Sequence, residues 1–165
     1  MMNTLLTRLA RINDRLGYWA LWLSGLGLLI MTAITGYQVF GRYVMNDSPQ
    51  WVERIALLLV LYFSFLAGAV GVREESHLGI AFVNDALPSA LRKVVMIIVG
   101  LILAAFGAVL VWNGVMLVYE TWDVATPIIR IPEGATYFAI PLGGLLIFSF
   151  ALELTLRELL DRKAA

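Results

Sequence analysis

The 165-residue chain has no cysteine and a single histidine, His77. Without thiols it can form no disulfide, no thiolate metal site and no dithiol redox couple, and one imidazole cannot supply both axial ligands of a bis-histidine haem. Charge is scarce as well. Asp, Glu, Lys and Arg make up 15% of the residues, against about 25% in an ordinary soluble domain. No glycine-rich phosphate loop, catalytic carboxylate pair or metal-ligand cluster occurs. These absences point to a chain that is not an enzyme, with no catalytic residues, no cofactor, no metal and no nucleic-acid partner.

What fills the chain is apolar. Hydrophobic residues account for 61% of it and the mean hydropathy is +0.84, so this is a membrane protein. Marking the charged residues leaves four charge-free stretches, at 17–41, 55–72, 94–119 and 134–152. A hydrocarbon core of about 30 Å needs about 20 helical residues, and the two shorter stretches reach this by gaining a turn from their flanks. Asn46-Asp47-Ser48-Pro49 reads as a helix start, with Ser48 as cap and Pro49 in the first turn, and the fourth span begins at Pro132. The expected fold is therefore all-α, a polytopic membrane domain over 1–165. Its spans fall at 17–41, 49–72, 94–119 and 132–156, joined by short amphipathic interfacial helices.

The amino-terminal segment, 1–16, places Leu5, Leu9, Ile12 and Leu16 at helical spacing with Arg8, Arg11 and Arg15 turned elsewhere, an amphipathic pattern. The first span is too long for the core of a secretory signal and should remain uncut. The middle loop, 76–90, is too short to span but apolar enough to rest on the membrane. Tyr18, Trp19, Trp51, Tyr119, Trp122 and Tyr137 lie near predicted ends, as interfacial anchors do. Of the 12 Lys and Arg residues, nine fall on the amino terminus, the middle loop and the 157–165 tail, and only Arg42, Arg54 and Arg130 on the other side. The positive-inside rule then puts both termini in the cytoplasm. The second outer loop, with Glu120, Asp123 and Glu133, is acidic.

All four span centres lack ionisable side chains, whereas ion-coupled transporters keep such groups or broken helices near the bilayer centre. No internal repeat is evident either. Thr35, Gln38 and Arg42 share a helical face near the outer end of the first span. Arg42 either snorkels to lipid headgroups or pairs with Glu53 to pin the first hairpin. In the third span Gly100, Ala104, Gly107 and Gly114 form a narrow stripe of small residues. Such stripes let a second helix approach closely, either within this chain's own bundle or on another membrane protein. Asn113 reads as an interhelical hydrogen-bonding group, His77 as a solvated loop residue or cap, and Pro141 as a kink that frees a carbonyl.

The run Phe40-Gly41-Arg42-Tyr43-Val44-Met45-Asn46-Asp47-Ser48-Pro49-Gln50-Trp51-Val52-Glu53 resembles the first periplasmic turn of the small membrane (DctQ-type) subunit of tripartite ATP-independent periplasmic (TRAP) transporters. Gly68, Gly71, Arg73, His77-Leu78-Gly79-Ile80, Leu87-Pro88 and Arg92 resemble that family's second span and following segment. Ile131-Pro132, Tyr137 and Ile140-Pro141-Leu142-Gly143 resemble its entry to the fourth span. The chain departs from the pattern at Ala81, where an acidic residue is common, and at Glu133-Gly134, where an aromatic one is.

The resemblance implies a bacterial inner-membrane scaffold that works with two partners. A periplasmic solute-binding protein captures an organic acid, and a large multi-span membrane subunit moves it by an elevator mechanism driven by a sodium gradient. The stripe Gly100, Ala104, Gly107 and Gly114 is then a candidate face for the large subunit. Arg42, Asp47, Trp51 and Glu53 are placed to touch the periplasmic protein or to stabilise the hairpin, and membrane lipids cover the remainder. The competing readings are a self-contained four-helix exporter, which would want an acidic residue in the first span, and a membrane anchor for a redox complex, which would want haem ligands.

Overall fold

The computed structural model describes the backbone of residues 2–47, 49–86, 89–126 and 130–160, and side chains over 6–47, 49–74, 91–126 and 130–159. It is all-α, and the described residues form five helices: α1 (Met2–Tyr43), α2 (Trp51–Ala86), α3 (Ser89–Thr121), the short α4 (Glu133–Tyr137) and α5 (Ala139–Leu160). Among the described residues four segments are long and apolar enough to cross a membrane: Leu6–Tyr43, Trp51–Glu74, Leu91–Thr121 and Glu133–Leu159.

The first two elements run further than their apolar stretches. The amino-terminal amphipathic segment is continuous with the first span in α1, and the middle segment continues α2 to Ala86. Nothing in either sequence stops the helix: there is no proline before Pro49, and none between Pro49 and Pro88. Ser48, Leu87-Pro88 and the end of the tail lie outside the described residues, as do the side chains of Leu5 and of 75–90, His77 included.

The turn after α1 has a local cause. Val44 N–H donates to the Phe40 carbonyl at 2.8 Å and Met45 N–H to Gly41 at 3.2 Å, prolonging the helix, and Asn46 then adopts φ 53°. Asn tolerates that left-handed conformation better than other non-glycine residues. The chain turns back so tightly that the Asp47 carbonyl lies 2.8 Å from where a Cβ on Gly41 would be, so only glycine fits there. Val52, wholly buried, closes the hairpin.

The helices form a row rather than a closed bundle. α5 packs on α3 along one side and on α2 along the other, α1 lies against α2 and reaches α5, and among the described residues α1 and α3 do not meet. The apolar window of the fourth span is 56% buried against 11–17% in the other three, so α5 is the centre of the row. Ala20, Leu66, Ala69, Val70, Leu146, Ile147 and Phe150 make its core.

Side-chain size is sorted accordingly. The inward seam of α1 steps by four and three through Asn13, Gly17, Ala20 and Ser24, all buried, and on through the half-buried Gly27, Met31, Ile34 and Gln38 to Gly41. Leu21, Trp22, Leu23, Leu26, Leu28 and Leu29 point outward, each more than half exposed. In lipid, large apolar groups gain nothing from burial against another helix, whereas small ones allow close backbone approach.

The fourth span loses one helical hydrogen bond near its start. Pro132 precedes α4 as its N-cap, and at the junction with α5 Phe138 keeps helical φ −59° and ψ −21°, with Phe138 N–H bonded to the Gly134 carbonyl at 3.0 Å and Leu142 N–H to the Phe138 carbonyl at 3.3 Å. Pro141 sits in the first turn of α5, where it cannot donate to the Tyr137 carbonyl. The loop before α4 folds back on itself, with an antiparallel bridge between Ala125 and Pro132 and a 2.8 Å bond from Glu133 N–H to the Val124 carbonyl.

Candidate functional site

The small-residue stripe of α3 faces α5. A Cβ on Gly107 would stand 2.7 Å from the Phe148 nitrogen and 2.9 Å from the Gly144 carbonyl oxygen, and one on Gly114 would stand 2.7 Å from Pro141 Cδ. A Cβ on Gly100 would collide with the Thr155 hydroxyl. Gly144 returns the contact, its own Cβ position being 3.0 Å from the Gly107 oxygen. Ala104, between them, is half-buried. The stripe is therefore filled by this chain's own fourth span, and the expectation of a docking face for the large subunit at Gly100, Ala104, Gly107 and Gly114 is corrected: a second protein cannot approach a seam that α5 occupies.

The residues of the α1–α2 turn stay at the surface. Arg42, Asp47 and Glu53 are exposed at the tip of the α1–α2 hairpin. Trp51 is half-covered, its ring 6.4 Å from that of Tyr37. Arg42 and Glu53 form no ion pair; the pairs among the described residues are Arg73–Asp14 and Arg157–Glu153. The hairpin-pinning pair is thus a second correction, and the tight turn at Gly41 holds the hairpin instead. Thr35 and Arg42 point outward while Gln38 lies on the seam. Asn113 bonds the Val109 carbonyl of its own helix at 2.9 Å, not another helix, a common outcome for a short polar side chain four residues on.

A second feature of this end of the row is a groove of about 140 Å³ beside the hairpin, lined by Arg54, Leu57, Thr126, Glu133, Thr136 and Tyr137. Just below it, the Tyr62 hydroxyl donates to the Ala135 carbonyl at 2.7 Å, tying α2 to α4.

The polar centre of the molecule lies at the opposite end, and sequence reasoning missed it. Asn13 of α1 is 1% exposed and Glu153 of α5 is 4% exposed. The Asn13 amide donates to Glu153 Oε2 at 2.6 Å and to the Ser149 carbonyl at 3.2 Å, while the Ser149 hydroxyl donates to Asn13 Oδ1 at 2.8 Å. Arg73 of α2 completes the clasp. Its guanidinium donates to the Asn13 carbonyl at 3.2 Å, pairs with Asp14 and lies 5.5 Å from the centre of the Phe150 ring. Gly17 makes room for it, since a Cβ there would meet Arg73 Nη1 at 3.2 Å. Arg157, at 2.5 Å, takes the other Glu153 oxygen. A buried carboxylate is tolerable only when its oxygens are paired in this way.

The clasp binds α1, α2 and α5 into one body. It is placed for structure rather than for chemistry, because every buried polar atom in it has a partner. Two signals in the sequence pointed to it: the four-and-three repeat of small and polar residues beginning at Asn13, and the Glu153–Arg157 spacing of four.

A helix row with a satisfied polar clasp at one end and a charged hairpin at the other can now be compared with known proteins. The family model described as the DctQ component of tripartite ATP-independent periplasmic transporters matches residues 31–161. The chain belongs to this family. The ectoine TRAP transporter small permease protein TeaB of Halomonas elongata is 26% identical over 123 residues, covering 73% of this chain and 64% of that protein. The C4-dicarboxylate TRAP transporter small permease protein DctQ of Vibrio cholerae is 25% identical over 145 residues, covering 73% and 62%. The isethionate TRAP transporter permease protein DctMQ of Oleidesulfovibrio alaskensis is 24% identical over 120 residues, 70% of this chain but only 19% of that protein. The chain thus spans less than two thirds of the length of each. As a DctQ-family member it is a multi-pass membrane component of a transporter. The family match begins inside α1, so Asn13 and the arginines before it lie outside the matched region.

Proposed function

We propose that the chain is a non-catalytic scaffold of a sodium-gradient-driven TRAP transporter that imports organic acids. It would act beside a periplasmic solute-binding protein and a large elevator-type membrane subunit, with both termini in the cytoplasm. The observation that carries this reading is the one-layer row itself. The one buried carboxylate among the described residues is locked in a clasp at one end, the span centres hold no ionisable group, and the two broad faces remain apolar. Such a row has nothing with which to bind and release an ion at the midplane, but it is suited to widening and stiffening the fixed part of a larger machine.

The length relationship supports a large membrane partner. In the isethionate permease protein the segment similar to this chain occupies 19% of the polypeptide, and in the sialic acid TRAP transporter permease protein SiaT of Haemophilus influenzae it occupies 12%, at 32% identity over 72 residues. Arg42, Asp47, Trp51 and Glu53, exposed around the hairpin tip, supply a surface for the periplasmic protein. Co-purification tests the assembly: tagged chain from detergent-solubilised membranes should retain a large multi-span subunit through gel filtration. Recovery of the chain alone, from cells that express both, would count against the proposal.

A further inference from the structure

Arg8, Arg11 and Arg15 of α1 are exposed and step by three and four along one side of the helix. The same steps continue through Tyr18, Trp22, Gly25 and Leu29, so a basic stripe runs directly into an aromatic and apolar one. Tyr18 is 59% exposed, Trp22 61% and Leu29 68%. The Tyr18 and Trp22 rings lean together with centres 6.3 Å apart. They belong to an open apolar face of the helix, on which a Cβ at Gly25 would meet nothing within 4 Å. Among the described residues none of the three guanidiniums has an acidic partner, since Asp14 is held by Arg73 and Glu153 by Arg157.

From this stripe we infer that the outward face of α1 is a binding site for an anionic phospholipid, its phosphate between Arg11 and Arg15 and one acyl chain along Tyr18, Trp22, Gly25 and Leu29. The charge fits, because a phosphate accepts the fork of donors that arginine presents, and basic residues beside a membrane helix attract anionic headgroups. The length fits too. From Arg15 to Leu29 is 14 residues, about 21 Å at 1.5 Å per residue, which matches one leaflet of about 20–22 Å including its headgroups. Tyr18, Trp19 and Trp22 then lie where aromatic side chains favour the interface. A protein helix on this face would have to bring its own acidic residues to the same level; the lipid brings the charge itself. The inference rests on no part of the scaffold proposal.

Contact quenching tests it on the full chain with Trp51, Trp112 and Trp122 replaced by Phe, so that Trp19 and Trp22 report. In phosphatidylcholine vesicles, brominated phosphatidylglycerol should associate with the reporters at least about fivefold more strongly than brominated phosphatidylcholine, the preference that a single basic residue near the surface already confers. The combined R8Q, R11Q and R15Q variant should bring the ratio to about one, and the corresponding Lys variant should keep most of it. Retention of phosphatidylglycerol by the chain with all its tryptophans, read by native mass spectrometry, should show the same order. Equal quenching by both lipids, or a preference that survives in the Gln variant, would overturn the site. So would loss of all lipid quenching on reconstitution with the large membrane subunit, which would make this a protein-covered face.

Discussion

Asn13 and Glu153, 140 positions apart, meet at 2.6 Å inside the seam between α1 and α5. The bond joins the first and last long helices, and Arg73 fastens α2 to the same point. Asn13→Leu would leave a buried carboxylate oxygen without its donor. Unfolding in mixed detergent should show a loss of about 1–2 kcal/mol, within the range of buried hydrogen bonds in membrane proteins. Adding Glu153→Leu should cost clearly less than its effect alone, because the two residues act through one contact. Strictly additive losses would mean that the clasp is not a unit.

The α3–α5 seam makes a sharper steric prediction. Backbone atoms of α5, which cannot swing aside, occupy the space beside Gly107. Gly107→Ala should therefore destabilise by about 1–3 kcal/mol, as overpacking does. Gly25→Ala, where a Cβ meets nothing, should be neutral or stabilise by up to about 1 kcal/mol through helix propensity. Equal effects in thermal unfolding would contradict the seam.

Arg42→Ala and Glu53→Ala should each change stability by no more than about 0.5 kcal/mol and should add in combination, because the exposed side chains are not paired. A coupling energy in the double-mutant cycle above that size would restore the ion pair.

Tyr62→Phe removes the 2.7 Å bond to the Ala135 carbonyl while keeping the ring. A loss of about 1 kcal/mol is expected. Amide exchange over 133–138 should quicken more than exchange in α3, since the bond holds α4 and not the α3–α5 seam. Unchanged exchange in α4 would show that the loop between α3 and α4 is held by its own backbone bonds.

The fold was legible because lipid imposes a simple rule: backbone must be helical and side chains apolar over about 20 residues. Four long charge-free runs made that visible. The stripe at Gly100, Ala104, Gly107 and Gly114 was legible as a close-packing surface, but periodicity on one helix says nothing about which helix fills it, and α5 does. The clasp escaped for a related reason. Glu153 stands one residue beyond the last charge-free run and Asn13 before the first, and nothing in the sequence relates the two positions. Only the fold brings them together. The Arg42–Glu53 pairing failed because closeness along a hairpin does not set side-chain direction; the turn at Gly41 and Asn46 leaves both facing outward.

As a proposed scaffold, this chain would support transport without performing it. Sodium-driven uptake of an organic acid into proteoliposomes tests that directly. A scaffold gives no uptake above empty vesicles on its own, uptake when the large membrane subunit and the periplasmic binding protein are added, and loss of that uptake when it is omitted. Uptake by the chain alone, or undiminished uptake without it, would contradict the scaffold role.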